Sequence, residues 1–98
     1  DSSNNKNNQD NHAEIFHLLN EIIFFYIEQE DYEEAIDGYK NIIQIAQTLF
    51  GKLHYQTITS MNHLSLLYLE QENYEEAEVL LEEIYQLLIT NEGLTTRN

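Results

Sequence analysis

The sequence of 98 residues contains no cysteine. Without thiols there is neither a disulfide nor a thiolate site, which excludes a disulfide-stapled secreted domain and a zinc ribbon. Long apolar runs are also missing, since a bilayer span needs ~20 residues and the longest run, Ile22 to Ile27, has six. We therefore expect an intracellular, cytoplasmic protein with no membrane partner.

Basic residues are scarce. Lysine and arginine number 4 against 18 aspartates and glutamates, which gives a formal net charge of −14. A nucleic-acid surface needs clustered cations to contact phosphates, so nucleic-acid binding is not expected and any charged partner should be basic. The sequence also lacks an initiator methionine, which suggests a piece of a longer protein.

Patterns that carry catalysis or metal binding are absent as well. The histidines lie five apart at His12 and His17 and nine apart at His54 and His63, whereas two ligands on one helical face need an i, i+4 spacing. Neither a nucleophile elbow nor a glycine-rich phosphate loop occurs. We expect no enzymatic activity, no metal and no cofactor.

The chain does contain an internal repeat. The stretch YIEQEDYEEA begins at Tyr26 and YLEQENYEEA begins at Tyr68, an offset of 68 − 26 = 42 residues. Periods of this length are typical of stacked helical repeats. The match extends to His12 with His54, Asn20 with Asn62, Ile42 with Ile84, and Gly51 with Gly93. Two tandem units, at about 12–51 and 54–93, account for most of the chain.

Inside each unit the apolar residues recur at steps of three and four, which predicts helices. We expect an all-α fold of two helical hairpins, with four antiparallel helices at about 12–29, 32–50, 54–71 and 74–91. Capping boxes are predicted at Asn11, Asp31 and Asn73, each followed three residues later by glutamate. Gly51 and Gly93 suit the left-handed position that ends a helix.

The two ends of the chain look different. Residues 1–10 are polar and rich in asparagine, and such a segment buries too little apolar surface to offset its chain entropy. We expect a disordered lead-in there and a flexible tail at 94–98.

At the helix joints the sequence resembles a tetratricopeptide repeat of the kinesin-light-chain type. The resemblance covers about residues 12–93 and is carried by TSMNHLSLLYLEQENYEEAEVLLEEI after Gly51-Lys52-Leu53-His54. Ile23 stands where the family has a small residue, and Tyr55 where the longer repeat usually has proline. The resemblance implies a fragment of an α-solenoid, whose concave face holds an extended peptide or a helix of a partner.

The resemblance also implies which positions face that groove, all on the first helix of each unit: His17, Asn20, Glu21, Phe24, Ile27 and Glu28, then Thr59, Asn62, His63, Leu66, Leu69 and Glu70. None of them is basic, so we expect a basic or neutral ligand. The asparagine amides could bind a peptide backbone, or they could be solvated or bonded between helices.

Further acidic residues follow in the second unit, and they suit either a solvated face or a docking surface for a basic partner: Glu70, Glu72, Glu75, Glu76, Glu78, Glu82 and Glu83.

The function expected is a non-enzymatic protein-interaction module, the alternative being a self-assembly or spacer repeat without a peptide ligand. Helix four offers more apolar surface than one hairpin can hide, and IIFFYI on helix one is apolar nearly all round. We therefore expect a homodimer of the isolated chain, two-fold and formed through helix one or helix four. The helix-four residues are Leu81, Ile84, Tyr85 and Leu88.

Overall fold

Four consecutive α-helices make up the computed structural model of the protein, which describes residues 2–92 and the side chains of residues 11–90. The helices are α1 (Ser2–Glu28), α2 (Tyr32–Phe50), α3 (Tyr55–Glu70) and α4 (Tyr74–Glu92). No strand occurs within residues 2–92. This confirms the predicted all-α architecture of helical hairpins. Gly93 and the predicted tail at 94–98 lie outside the described residues.

Helix α1 begins at Ser2, well before the predicted start near His12. It runs through residues 2–10, the segment expected to be disordered, and Asn11 lies inside the helix instead of capping it. No proline or glycine interrupts this part of the sequence. Extending a helix adds one hydrogen bond for each residue ordered, whereas nucleation orders several residues for one bond. A polar segment can therefore extend a helix whose other residues pack in a hairpin.

Both hairpin joints place a glutamate in the left-handed conformation, Glu30 with φ 62° and Glu72 with φ 63°. At the first joint the N–H of Asp31 donates to the carbonyl of Tyr26 at 2.9 Å, and the second joint repeats this bond at 2.8 Å. The bond closes a Schellman motif, in which glycine is the usual left-handed residue. No pattern in the sequence indicated that glutamate would occupy it.

Helices α2 and α4 begin directly after the predicted cap residues. The carbonyl of Asp31 accepts a hydrogen bond from the N–H of Ala35 at 3.1 Å, and the carbonyl of Asn73 accepts one from Ala77 at 3.1 Å. These are the first intrahelical bonds that an N-cap residue makes. Acidic residues fill the first turn of both helices, where the helix dipole favours negative charge.

The connection from α2 to α3 is held by side chains. Gly51, with φ 95°, ends α2 as predicted. Nδ1 of His54 accepts from the N–H of Gln56 at 3.0 Å and so caps α3. The ring of Phe50 stacks on the His54 imidazole with centroids 4.3 Å apart, and Oγ1 of Thr57 donates to the carbonyl of Gly51 at 2.8 Å.

The chain divides into two units, Asp1–Gly38 and Tyr39–Asn98. In the first unit the buried apolar residues are Phe16, Ile23 and Ala35. In the second they are Tyr39, Ile42, Ala46, Met61, Leu64, Leu67, Tyr68, Ala77 and Ile84. The small Ala35 and Ala77 occupy the same repeat position, and a small buried side chain permits close helix packing.

Hydroxyl groups are also buried in the second unit. Oγ of Ser60 donates to the carbonyl of Gln56 at 2.9 Å, and Oγ of Ser65 donates to that of Met61 at 3.0 Å. Because the hydroxyls of Ser60 and Ser65 each have an intrahelical partner, these two polar side chains enter the core without an unpaired donor.

Candidate functional site

Helix α3 exposes a strip of predicted groove residues. Asn62, Leu66 and Glu70 follow one another at four-residue steps, and all three are exposed. Leu69 lies beside them and is exposed as well. Residues four apart on a helix are neighbours on one face. The strip therefore combines an amide, two leucine side chains and a carboxylate.

His63 lies at the border of this strip and is partly covered. Its ring contacts that of Tyr39, with centroids 5.8 Å apart, and its Nδ1 is buried without a hydrogen-bond partner among the described residues. Burial lowers the pKa of His63. Burial, with a smaller effect from the Glu70 carboxylate, raises the pKa of Tyr39. Both rings are therefore held in their neutral forms. The predicted groove residue Thr59 is half-buried, as His63 is.

The predicted groove positions on α1 belong to the first unit. Phe24 and Glu28 are exposed, and Ile27 is half-buried. His17 and Glu21 are exposed and form an i, i+4 contact, with Nε2 and Oε2 3.2 Å apart. A contact between side chains this exposed contributes little to stability. These two side chains are accessible to a ligand.

The two repeated asparagines differ in their surroundings. Nδ2 of Asn20 donates to the carbonyl of Phe16 at 2.8 Å, one turn back along α1. Its Oδ1 is buried and has no hydrogen-bond partner among the described residues. Asn62, in contrast, is exposed. Asn20 thus makes an intrahelical bond that neither interpretation of the sequence anticipated, whereas the Asn62 amide faces solvent.

The second unit also contains an open cleft of about 530 Å³ between α2, α3 and α4. Its surface is mostly apolar, with a lysine and two glutamates among the lining residues: Lys40, Ile43, Leu64, Tyr68, Glu75, Glu76, Val79 and Leu80. Of these residues, only Glu75 and Glu76 belong to a predicted surface, the acidic set that suits either a solvated face or a docking surface for a basic partner. The sequence feature that could have pointed to this cleft is Lys40, the one basic residue of α2.

Apolar side chains are exposed on α1 and on α4. On α4 the exposed residues include three of the four predicted for self-association, Leu81, Tyr85 and Leu88. Ile84 is only 8% exposed and belongs to the core, so it does not lie on that face. The exposed apolar residues of α1 are Ile15, Leu18, Ile22, Phe24 and Phe25.

Neither a metal-binding cluster nor a membrane-spanning helix occurs in the part of the chain that the structure describes. There, no three histidine, cysteine, aspartate or glutamate side chains are grouped so that they could hold a metal ion. In the same residues no helix combines the length and apolar character needed to cross a bilayer.

Comparison with known proteins assigns the repeat. A family model described as tetratricopeptide repeat matches residues 14–89. The chain belongs to the tetratricopeptide repeat family. Searches of curated proteins and of solved structures found no match. The family match spans both YEEA joints, and stacked helical repeats of this kind present extended surfaces for other proteins. The chain is therefore a protein-interaction repeat module.

Proposed function

We propose that this tetratricopeptide repeat module binds an extended peptide or a helix of a partner protein, without catalysing a reaction, and that the exposed strip of α3 in the second unit contacts it. The supporting observation is the pair Phe24 and Leu66. These residues are equivalent in the two repeats and are 51% and 50% exposed. Single exposed apolar residues are ordinary, but the same position is left open in both repeats. The 42-residue period supports a kinesin-light-chain-like repeat type.

The chemistry of the α3 strip indicates the class of ligand. The exposed Asn62 amide can donate to and accept from a peptide backbone. Leu66 and Leu69 offer apolar surface for a side chain, and Glu70 attracts a cation. With a net charge of −14 over the whole chain, an acidic peptide would be repelled. The proposed ligand is therefore basic or neutral.

Affinity capture with the whole chain as bait tests this proposal. We expect Asn62→Ala/Leu66→Ala to lose the partners that the wild type retains. The matched control is Leu49→Ala/Tyr55→Ala, which also truncates two exposed side chains but leaves the strip intact. Retention of every partner by the Asn62→Ala/Leu66→Ala variant would contradict the proposal. Phe24→Ala applies the same test to the equivalent exposed position of α1 in the first unit.

We propose self-association as a second function of the chain, with the apolar faces of α1 and α4 as the supporting observation. Contiguous apolar patches of several hundred square ångströms are uncommon on monomers. Sedimentation over a wide concentration range tests this, since self-association predicts an average mass that rises with concentration. A folded chain that stays monomeric at high concentration would contradict it.

A further inference from the structure

Four large apolar side chains form a stripe along α1, spaced three, four and three residues apart: Ile15, Leu18, Ile22 and Phe25. Each is between 50 and 58% exposed. The repeat offset places their equivalents on α3, where every one is at most 3% exposed: Thr57, Ser60, Leu64 and Leu67. The same helix face is thus open in the first repeat and covered in the second.

Helix α4 shows the reverse relationship. Leu81, Tyr85 and Leu88 are between 38 and 57% exposed. Their equivalents one repeat earlier lie on α2, where two are buried and one is half-buried: Tyr39, Ala46 and Ile43. The open face of α4 therefore corresponds to a face of α2 that is largely covered.

Within the second unit, the covered faces of α2 and α3 pack against each other. The ring of Tyr39 on α2 contacts the ring of His63 on α3, with centroids 5.8 Å apart. Ile43 and Leu64, one from each helix, line the same cleft. The α2 face corresponds to the α4 face, and the α3 face corresponds to the α1 stripe. The two open faces are therefore counterparts of two faces that already form an interface.

We infer that the α4 face of one copy docks on the α1 stripe of a second copy, in the register of the α2–α3 packing. This inference rests on the self-association proposed above and gives it a head-to-tail geometry in place of a two-fold one. Such an interface uses different surfaces on the two copies, so each dimer keeps one free α1 stripe and one free α4 face. Further copies can add to these ends.

The side chains at the junction are larger than their internal counterparts. Leu88 replaces Ala46, and Ile15 and Leu18 replace Thr57 and Ser60. Larger contact residues increase the distance between packed helix axes. They also remove more apolar surface from water, which is the term that drives association.

Charge opposes the same junction. The internal cleft has Lys40 together with Glu75 and Glu76. The equivalent residues at a junction between copies are Glu82 on one copy and Glu33 and Glu34 on the other. Like charges repel, and salt screens that repulsion. Head-to-tail association should therefore strengthen as the salt concentration rises.

Cysteine crosslinking tests the geometry against a clean background, since the chain has no cysteine of its own. The Tyr39–His63 contact corresponds to Leu81 on one copy and Glu21 on the next. We expect a short bismaleimide to crosslink Leu81→Cys chains with Glu21→Cys chains in a mixture, and neither variant with itself. Tyr55→Cys, at an exposed position off both faces, measures random crosslinking.

The other outcomes separate the two proposals. If either variant crosslinks with itself, or if the chain associates without the mixed crosslink, head-to-tail docking is overturned and self-association stands. If wild type and variants all sediment as monomers, both proposals are overturned.

A charge reversal tests the register independently. Glu82→Lys places a lysine at the position equivalent to Lys40, facing Glu33 and Glu34 of the other copy. At low salt this should lower the dissociation constant of the dimer by roughly threefold to tenfold. The control Glu83→Lys changes the net charge equally, but Glu83 lines another cleft with Phe50 and Lys52. Equal effects of the two reversals would overturn the inferred register.

Discussion

Gly38 packs so closely against Ile23 that a Cβ atom on Gly38 would lie 2.9 Å from Cγ1 of Ile23. The equivalent residues in the second repeat are Leu80 and Ser65. The large and small residues are thus exchanged between the two helices of a hairpin. Ile23, which stands where the resemblance predicted a small residue, is accommodated because its neighbour has no side chain.

We predict that Gly38→Ala destabilises the wild type by about 1–2 kcal/mol, because the new methyl group overpacks the contact with Ile23. In an Ile23→Ala background the contact is gone, and the same change should stabilise by about 1 kcal/mol through helix propensity. Urea unfolding of the four proteins gives the double-mutant cycle. Equal effects of Gly38→Ala in both backgrounds would show that the contact has no energetic weight.

The two left-handed glutamates provide a second prediction. A residue with a Cβ atom pays about 1–2 kcal/mol in this conformation, whereas glycine adopts it freely. Glycine also loses more conformational entropy on folding, which offsets part of this gain. Glu30→Gly and Glu72→Gly should therefore each raise the free energy of unfolding by about 0.5–1 kcal/mol. Thermal or urea unfolding measures this.

Asp37→Gly, in the interior of α2, is the matched control. There glycine gains no conformational relief, and because aspartate is itself a weak helix former the change should destabilise by only about 0.3 kcal/mol. If all three glycine variants lose stability alike, the left-handed glutamates are not strained.

A third prediction concerns pH. Burial lowers the pKa of His63 in the folded chain, so the unfolded chain binds the proton more readily. The stability contributed by neutral His63 is complete above its unfolded pKa, about 6.5, and is lost as the pH falls through the lower folded pKa. The stability advantage of the wild type over His63→Gln should therefore shrink on acidification below about pH 6.5. An advantage that is constant or grows there would contradict the assignment.

The features that follow from local patterns were predictable. The repeat offset and apolar spacing predicted four helices, and Gly51 was predicted to end α2. Each depends on residues near one another in sequence. The start of α1 at Ser2 was missed because the composition of residues 1–10 contains no apolar pattern, whereas helix extension depends on the backbone.

Features that depend on tertiary packing were not predictable. Glutamate is an uncommon choice at a left-handed helix end, so Glu30 and Glu72 carried no signal. The cleft beside Lys40 exists only once three helices have packed. The burial of Ile84, next to the exposed Tyr85, likewise depends on the helices that cover α4.

NMR titration of the isotope-labelled chain tests most directly whether the exposed strip of α3 binds a partner's peptide. Two peptides with the same apolar residues are compared, one rich in lysine and arginine and the other in aspartate and glutamate, at two salt concentrations. We predict that the basic peptide binds more tightly, shifts the amide signals of Asn62, Leu66 and Glu70, and weakens as salt is added. Tighter binding of the acidic peptide, or shifts confined to cleft residues such as Val79, would contradict the account.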